Sequence, residues 1–93
     1  MVIGLLQIEL HLPVCNSLKD KRSILKRLFA RLRQTYNVGV AETGHQDVWR
    51  SAQMAVVTVF NERTPVEQTL SKVAAEVVGT AGVEVIGQQV ELL

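Results

Sequence analysis

VIGLLQIELHLPVCNSLKDKRSILKRLFARLRQTY, residues 2–36, changes its hydrophobic period once, and that change decides how the chain is built. Val2, Gly4, Leu6, Ile8, Leu10 and Leu12 share one parity, while Gln7, Glu9 and His11 share the other. A period of two marks a half-buried β-strand with one polar face. Pro13 and Asn16 break the alternation. Ser17 followed by Asp20 resembles a capping box with the shorter acid, so a helix starts there. At about 100° per residue, Leu18, Leu25, Leu28, Phe29, Leu32 and Tyr36 fall on one side of that helix. Lys19, Arg22, Lys26, Arg27, Arg31 and Arg33 fall on the other, and Lys21 is the exception, lying along the apolar edge.

Beyond Tyr36 the pattern turns to NVGVAET, a short second strand, and GHQDVW makes a connection. RSAQMAVVTVF then runs apolar on both parities, as expected of a mid-sheet strand covered at least in part on both faces. TPVE at 64–67 predicts a helix start with Thr64 at the cap, Pro65 at the first helical position and Glu67 closing the box. Val66, Leu70, Val73, Ala74 and Val77 form its apolar stripe, and Gly79 and Gly82 end it. VEVIGQQVEL is the last strand, with Gly87 placed for a bulge.

The element order is therefore βαββαβ, two split βαβ units. It predicts an α+β, ferredoxin-like sandwich with a four-stranded antiparallel sheet and both helices on one face. Even-numbered residues of the first strand meet the helices. Odd-numbered ones line an open face where Ile3 and Leu5 join several of Ala55, Val57 and Val59, an apolar surface that predicts a homo-oligomer.

Ninety-three residues make one domain, 1–93, and 47% hydrophobic with 20% charged residues is an ordinary globular composition. Cys15 is the only cysteine, so no internal disulfide forms, and a reducing cytoplasmic setting is expected. The first twelve residues lack a basic start and carry Gln7 and Glu9, so they read as neither leader nor membrane span. No glycine-rich phosphate loop, cysteine pair or HExxH helix is present, and His11 and His45 stand alone. The reading is a non-enzyme with no cofactor and no metal.

Charge is the informative feature. Residues 17–36 hold seven of the ten basic residues against Asp20, whereas the remainder holds three basic residues against eight acidic ones. Arg22/Lys26 and Arg27/Arg31 are like-charged at i,i+4 and Lys19/Arg22 at i,i+3, costing about 0.2–0.5 kcal/mol each. Lys19, Lys21 and Arg22 also crowd the positive end of the helix dipole, which disfavours cations. A phosphate would relieve both, so Lys19, Lys21, Arg22, Lys26, Arg27, Arg31 and Arg33 are the candidate nucleic-acid contacts, with Lys21 at the tightest anion point. Trp49 and Arg50 are accessory candidates. The alternative is an assembly protein whose basic helix pairs with acidic protein surfaces.

HLPVCNSLKDKRSILKRL, YNVGVAET and QDVWRSAQMAVVTVFNE together resemble the YlxP-like family, a bacterial domain of unknown function, across essentially the whole chain. The residues that carry the resemblance are Ser17, Leu18, Lys19, Lys21, Arg22, Asp47 and Trp49. It implies a ferredoxin-like fold and, through gene neighbourhoods shared with translation-initiation and ribosome-maturation factors, an RNA or ribosome association. TGHQ stands where the family's loop is more acidic.

Overall fold

The computed structural model describes residues 1–93. The chain runs β1 (Val2–His11), α1 (Leu18–Thr35), β2 (Val38–Gly44), β3 (Ser51–Phe60), α2 (Arg63–Val78) and β4 (Glu84–Leu92). The strands form one antiparallel sheet in the order β2-β3-β1-β4, the ferredoxin-like topology that the element order predicts. β1 and β3 are its centre, paired from Val2↔Phe60 to His11↔Ser51. No helix is long and apolar enough to cross a membrane.

The parity of β1 sets the layers. Leu6, Ile8, Leu10 and Leu12 are buried, beside Ala52, Met54 and Val56 of β3 and Val40 of β2. Leu25, Leu28, Phe29 and Leu32 of α1 and Val66, Leu70, Val73 and Val77 of α2 close the same core. A one-residue slip of β1 would send its apolar set to the other face, so this core fixes the register. Gly4 marks where α2 crosses β1: a Cβ there would press on Val66 and lie 2.8 Å from Leu70 Cδ1.

α1 begins with Ser17 as its cap and a variant of the capping box. Ser17 Oγ accepts from the Asp20 amide at 3.1 Å, and Asp20 Oδ2 accepts from the amide of Asn16 at 3.0 Å, one residue earlier than a longer Glu side chain would reach. α2 differs from its sequence expectation. It begins at Arg63 with Glu62 as cap and no side-chain cap bond, so Thr64 and Pro65 lie inside the first turn. Every amide of that turn lacks a partner within the helix, so proline is accommodated there without marking the first position. Glu67 accepts from Arg63 Nε instead, at 2.6 Å.

Gly87 does sit at a bulge: the β1/β4 register shifts between Glu9 and Leu10. A second shift falls between Glu42 and Gly44 on the β2/β3 edge. β3 is covered on one face only within the chain, since Val57 and Val59 remain 44% and 45% exposed.

Gly4→Val tests the helix-over-strand contact. Overpacking should cost about 1–3 kcal/mol in urea unfolding, and an unchanged midpoint would show that α2 does not lie so close to β1.

Candidate nucleic-acid interface

The cations of α1 divide into three kinds. Lys21 is fully buried. Its ammonium donates to the carbonyls of His45 at 2.8 Å, Gln46 at 3.2 Å and Ser51 at 3.3 Å. Glu42 Oε2 lies 2.8 Å away and balances the charge, and no other donor reaches that buried oxygen. Three protons meet three carbonyls, and one charge meets one carboxylate. The expectation that Lys21 forms the tightest anion point is therefore corrected: no face of its ammonium is open to a phosphate. The sequence does carry the signal, because Lys21, Leu25, Leu28 and Leu32 are spaced i, i+4, i+7 and i+11, which puts Lys21 within the buried stripe.

Arg31 and Arg33 are exposed but engaged. Arg31 Nε lies 3.4 Å from Glu76 Oε2 and its Nη2 donates to Thr80 Oγ1 at 2.9 Å. Arg33 Nη2 donates to the Val40 carbonyl at 2.7 Å, with the guanidinium 5.9 Å from the centre of the Phe29 ring. Lys19, Arg22, Lys26 and Arg27 are exposed and form no hydrogen bond or ion pair. Lys19, Arg22 and Lys26 follow i, i+3, i+7 on one stripe about 10 Å long, with Arg27 beside it.

Of the accessory candidates, Trp49 is half exposed at 51% in the connection between β2 and β3. Arg50 instead holds the approach to α1. Its Nε donates to the Cys15 carbonyl at 2.9 Å and its Nη2 to Asn16 Oδ1 at 3.3 Å. Cys15 is buried, and burial, reinforced by Asp20, pushes its thiol up, which keeps it protonated and inert at neutral pH.

A family described as "Protein of unknown function (DUF503)" matches residues 3–90. The chain belongs to this family. It is also 34% identical over 74 residues to the uncharacterized protein YlxP of Bacillus subtilis (strain 168), covering 80% of each chain. Solved structures of similar shape share the fold alone. One is the de novo designed protein Foldit4, with TM-score 0.52, 13% identity, and 99% of this chain and 94% of that one covered. Another is a C-terminal segment of the alpha subunit of aIF2 from Pyrococcus abyssi, with TM-score 0.50 and 17% identity, where this chain is covered completely and spans 49% of the other. A third is LarC2, the C-terminal domain of a cyclometallase involved in the synthesis of the NPN cofactor of lactate racemase, with TM-score 0.50, 9% identity, and 100% and 55% covered.

In this family member one further cluster lies on the opposite side of the sheet. Glu9 Oε1 accepts from Gln53 Nε2 at 2.9 Å and lies 3.6 Å from His45 Nε2. The bond from Gln53, and then the nearby His45 ring, hold the Glu9 carboxyl below the usual carboxylate range. His45 is the one non-glycine residue with positive φ, 59°, and its carbonyl is the closest of the three that accept from Lys21. The polar parity of β1 pointed to Glu9, but its pairing with Gln53 and His45 required the register.

Lys21→Met removes the charge and leaves Glu42 and three carbonyls facing a methyl group. It should cost about 3 kcal/mol or more in chemical denaturation, whereas Lys19→Met should stay within about 0.5 kcal/mol of wild type. Equal costs would contradict the division between them.

Proposed function

We propose that this chain is a cytoplasmic module that binds the phosphate backbone of RNA, free or in the ribosome, through the outer face of α1. The observation that carries the reading is the set Lys19, Arg22, Lys26 and Arg27: four exposed cations with no partner in a chain whose other segments hold eight acidic residues. Their i,i+3 and i,i+4 repulsion works against the helix, and Lys19 adds a cation at the positive end of its dipole. Bound phosphate turns both penalties into attractions. Arg31 and Arg33 flank this surface and have to leave their internal acceptors to join it. Asp20 occupies the helix start, so the contact surface is centred on the middle of α1 and not on its first turn.

The open sheet does not supply base recognition of the kind that RNA-recognition motifs use. β1 carries no aromatic residue, and β3 has only Phe60 at its end. Affinity then comes from phosphates, which position a nucleic acid without selecting its sequence. Four contacts should give a log affinity against log salt slope of about −3 on single-stranded RNA. Reversing Lys19, Arg22, Lys26 and Arg27 to Glu should abolish binding and leave the fold intact. Unchanged affinity and slope, or a cellular partner retained after nuclease treatment, would contradict the reading.

We further propose that a second copy covers the apolar half of the open face. Met1, Ile3, Gly39, Val57 and Val59 line a shallow groove of about 560 Å³ there, and a two-fold copy offers the same apolar strip in return. α1 lies on the other face of the sheet, so such a dimer carries two basic helices on opposite outer sides. Light scattering should give a dimer at micromolar concentration that Val57→Lys converts to a monomer, and a monomeric wild type would contradict the proposal.

A further inference from the structure

The other half of the open face is built differently. One row of residues crosses all four strands as Gly87, Glu9, Gln53 and Gly44. Both edge positions of that row are glycine, and each edge has a register shift beside it. The next row is Gln89, Gln7, Ala55 and Ala41, so two amides stand opposite each other one step from Glu9. The glycines at both ends of the Glu9 row and the alanines on β3 and β2 in the next leave a groove of about 300 Å³, lined by Gln7, Glu9, Thr43, Gln53, Gly87 and Gln89 among others. That volume is at the lower end of small-ligand sites. Bulges beside a concave polar site re-aim side chains, and here two bulges converge on one row.

The acceptors in this groove are not satisfied by the chain. Gln53 and His45 both approach Glu9 Oε1 and leave Oε2 without a partner, on a side chain that is 44% exposed. Gln7 and Gln89 make no hydrogen bond through their side chains. No Lys or Arg reaches the groove: Lys21 is spent on the far side of the sheet and Arg50 is turned to Cys15 and Asn16.

We propose that this groove binds a guanidinium group, with Glu9 as the charged acceptor and the amide oxygens of Gln7 and Gln89 as its flanking acceptors. A carboxylate with no Lys or Arg beside it, and with Oε2 turned away from His45, disfavours an anionic ligand. Several acceptors spread over a flat sheet suit a planar cation with five N–H donors, which is also more weakly hydrated than an ammonium. Lys21 acts here as a positioning residue: its bond to the His45 carbonyl fixes the positive-φ turn that brings the His45 ring to Glu9. The site lies across the sheet from the α1 surface, so it stands or falls apart from RNA binding.

The test is a titration of the full-length protein with N-acetyl-arginine amide, followed by the side-chain amide signals of Gln7, Gln53 and Gln89 and the backbone signals of Gly44 and Gly87. A saturable shift at these groups is expected. The lysine analogue should bind about tenfold more weakly and the neutral citrulline analogue more weakly still. Glu9→Gln should reduce arginine affinity about ten- to a hundredfold. Gly87→Leu serves as a second variant, because a Cβ at Gly87 meets nothing nearer than Glu9 Cβ at 4.0 Å and its φ is not positive, so the larger side chain fills the groove without strain in the fold. It should abolish the shifts while the remaining spectrum persists. Arginine and citrulline analogues binding alike, full affinity in either variant, or no saturable shift at millimolar ligand would each overturn the proposal.

Discussion

A single buried ammonium ties the two halves of this fold together. Lys21 belongs to the first turns of α1, yet its three carbonyl acceptors come from His45, Gln46 and Ser51 and its counter-charge from Glu42. Burying a charge is costly unless it is paired and fully hydrogen-bonded, and here both conditions are met by one hairpin, from Glu42 in β2 through His45 and Gln46 to Ser51 at the start of β3. The connection in turn gains the partners that its carbonyls would otherwise find only in water. Arg50 performs a parallel task a few residues away, holding Cys15 and Asn16 at the entrance to α1. The helix start and the β2–β3 connection thus define each other.

That arrangement separates the chemistry of the two sides. Above the sheet, the inward turn of Lys21 and the Asp20 cap leave Lys19, Arg22, Lys26 and Arg27 as the cations of α1 available to a partner. Below it, the same connection carries His45 to Glu9, while the β1/β4 and β2/β3 bulges open the surface around that pair. The basic surface rests on a helix and the polar groove on four strands.

Most of the fold was legible because its signals are local. Alternation in β1, the Ser17/Asp20 cap, the Val66–Leu70–Val73–Val77 stripe and Gly87 each depend on near neighbours in sequence, and each appears in the structure as read. What was misread depends on distant partners. Lys21 looks like its basic neighbours until residues 24 to 30 positions away surround it. Its spacing with Leu25, Leu28 and Leu32 gave notice, but spacing alone does not show where carbonyls will converge. Arg31, Arg33 and Arg50 likewise count as free cations until the fold brings Glu76, Val40 and Cys15 to them. Pro65 misled for a different reason: any position in a helix's first turn accepts proline, so it constrains the start only to within a turn.

The state of the Lys21 ammonium can be observed directly. In protein labelled with ¹⁵N at the lysine ε position, the account predicts one NζH₃ signal protected from water exchange at neutral pH, assigned to Lys21, while Lys19, Lys26 and Lys72 exchange too fast to be seen. Adding RNA should leave that signal in place. A Lys21 ammonium that exchanges as fast as the other three, or that shifts when RNA binds, would contradict the division of this helix into a structural cation and a free basic surface.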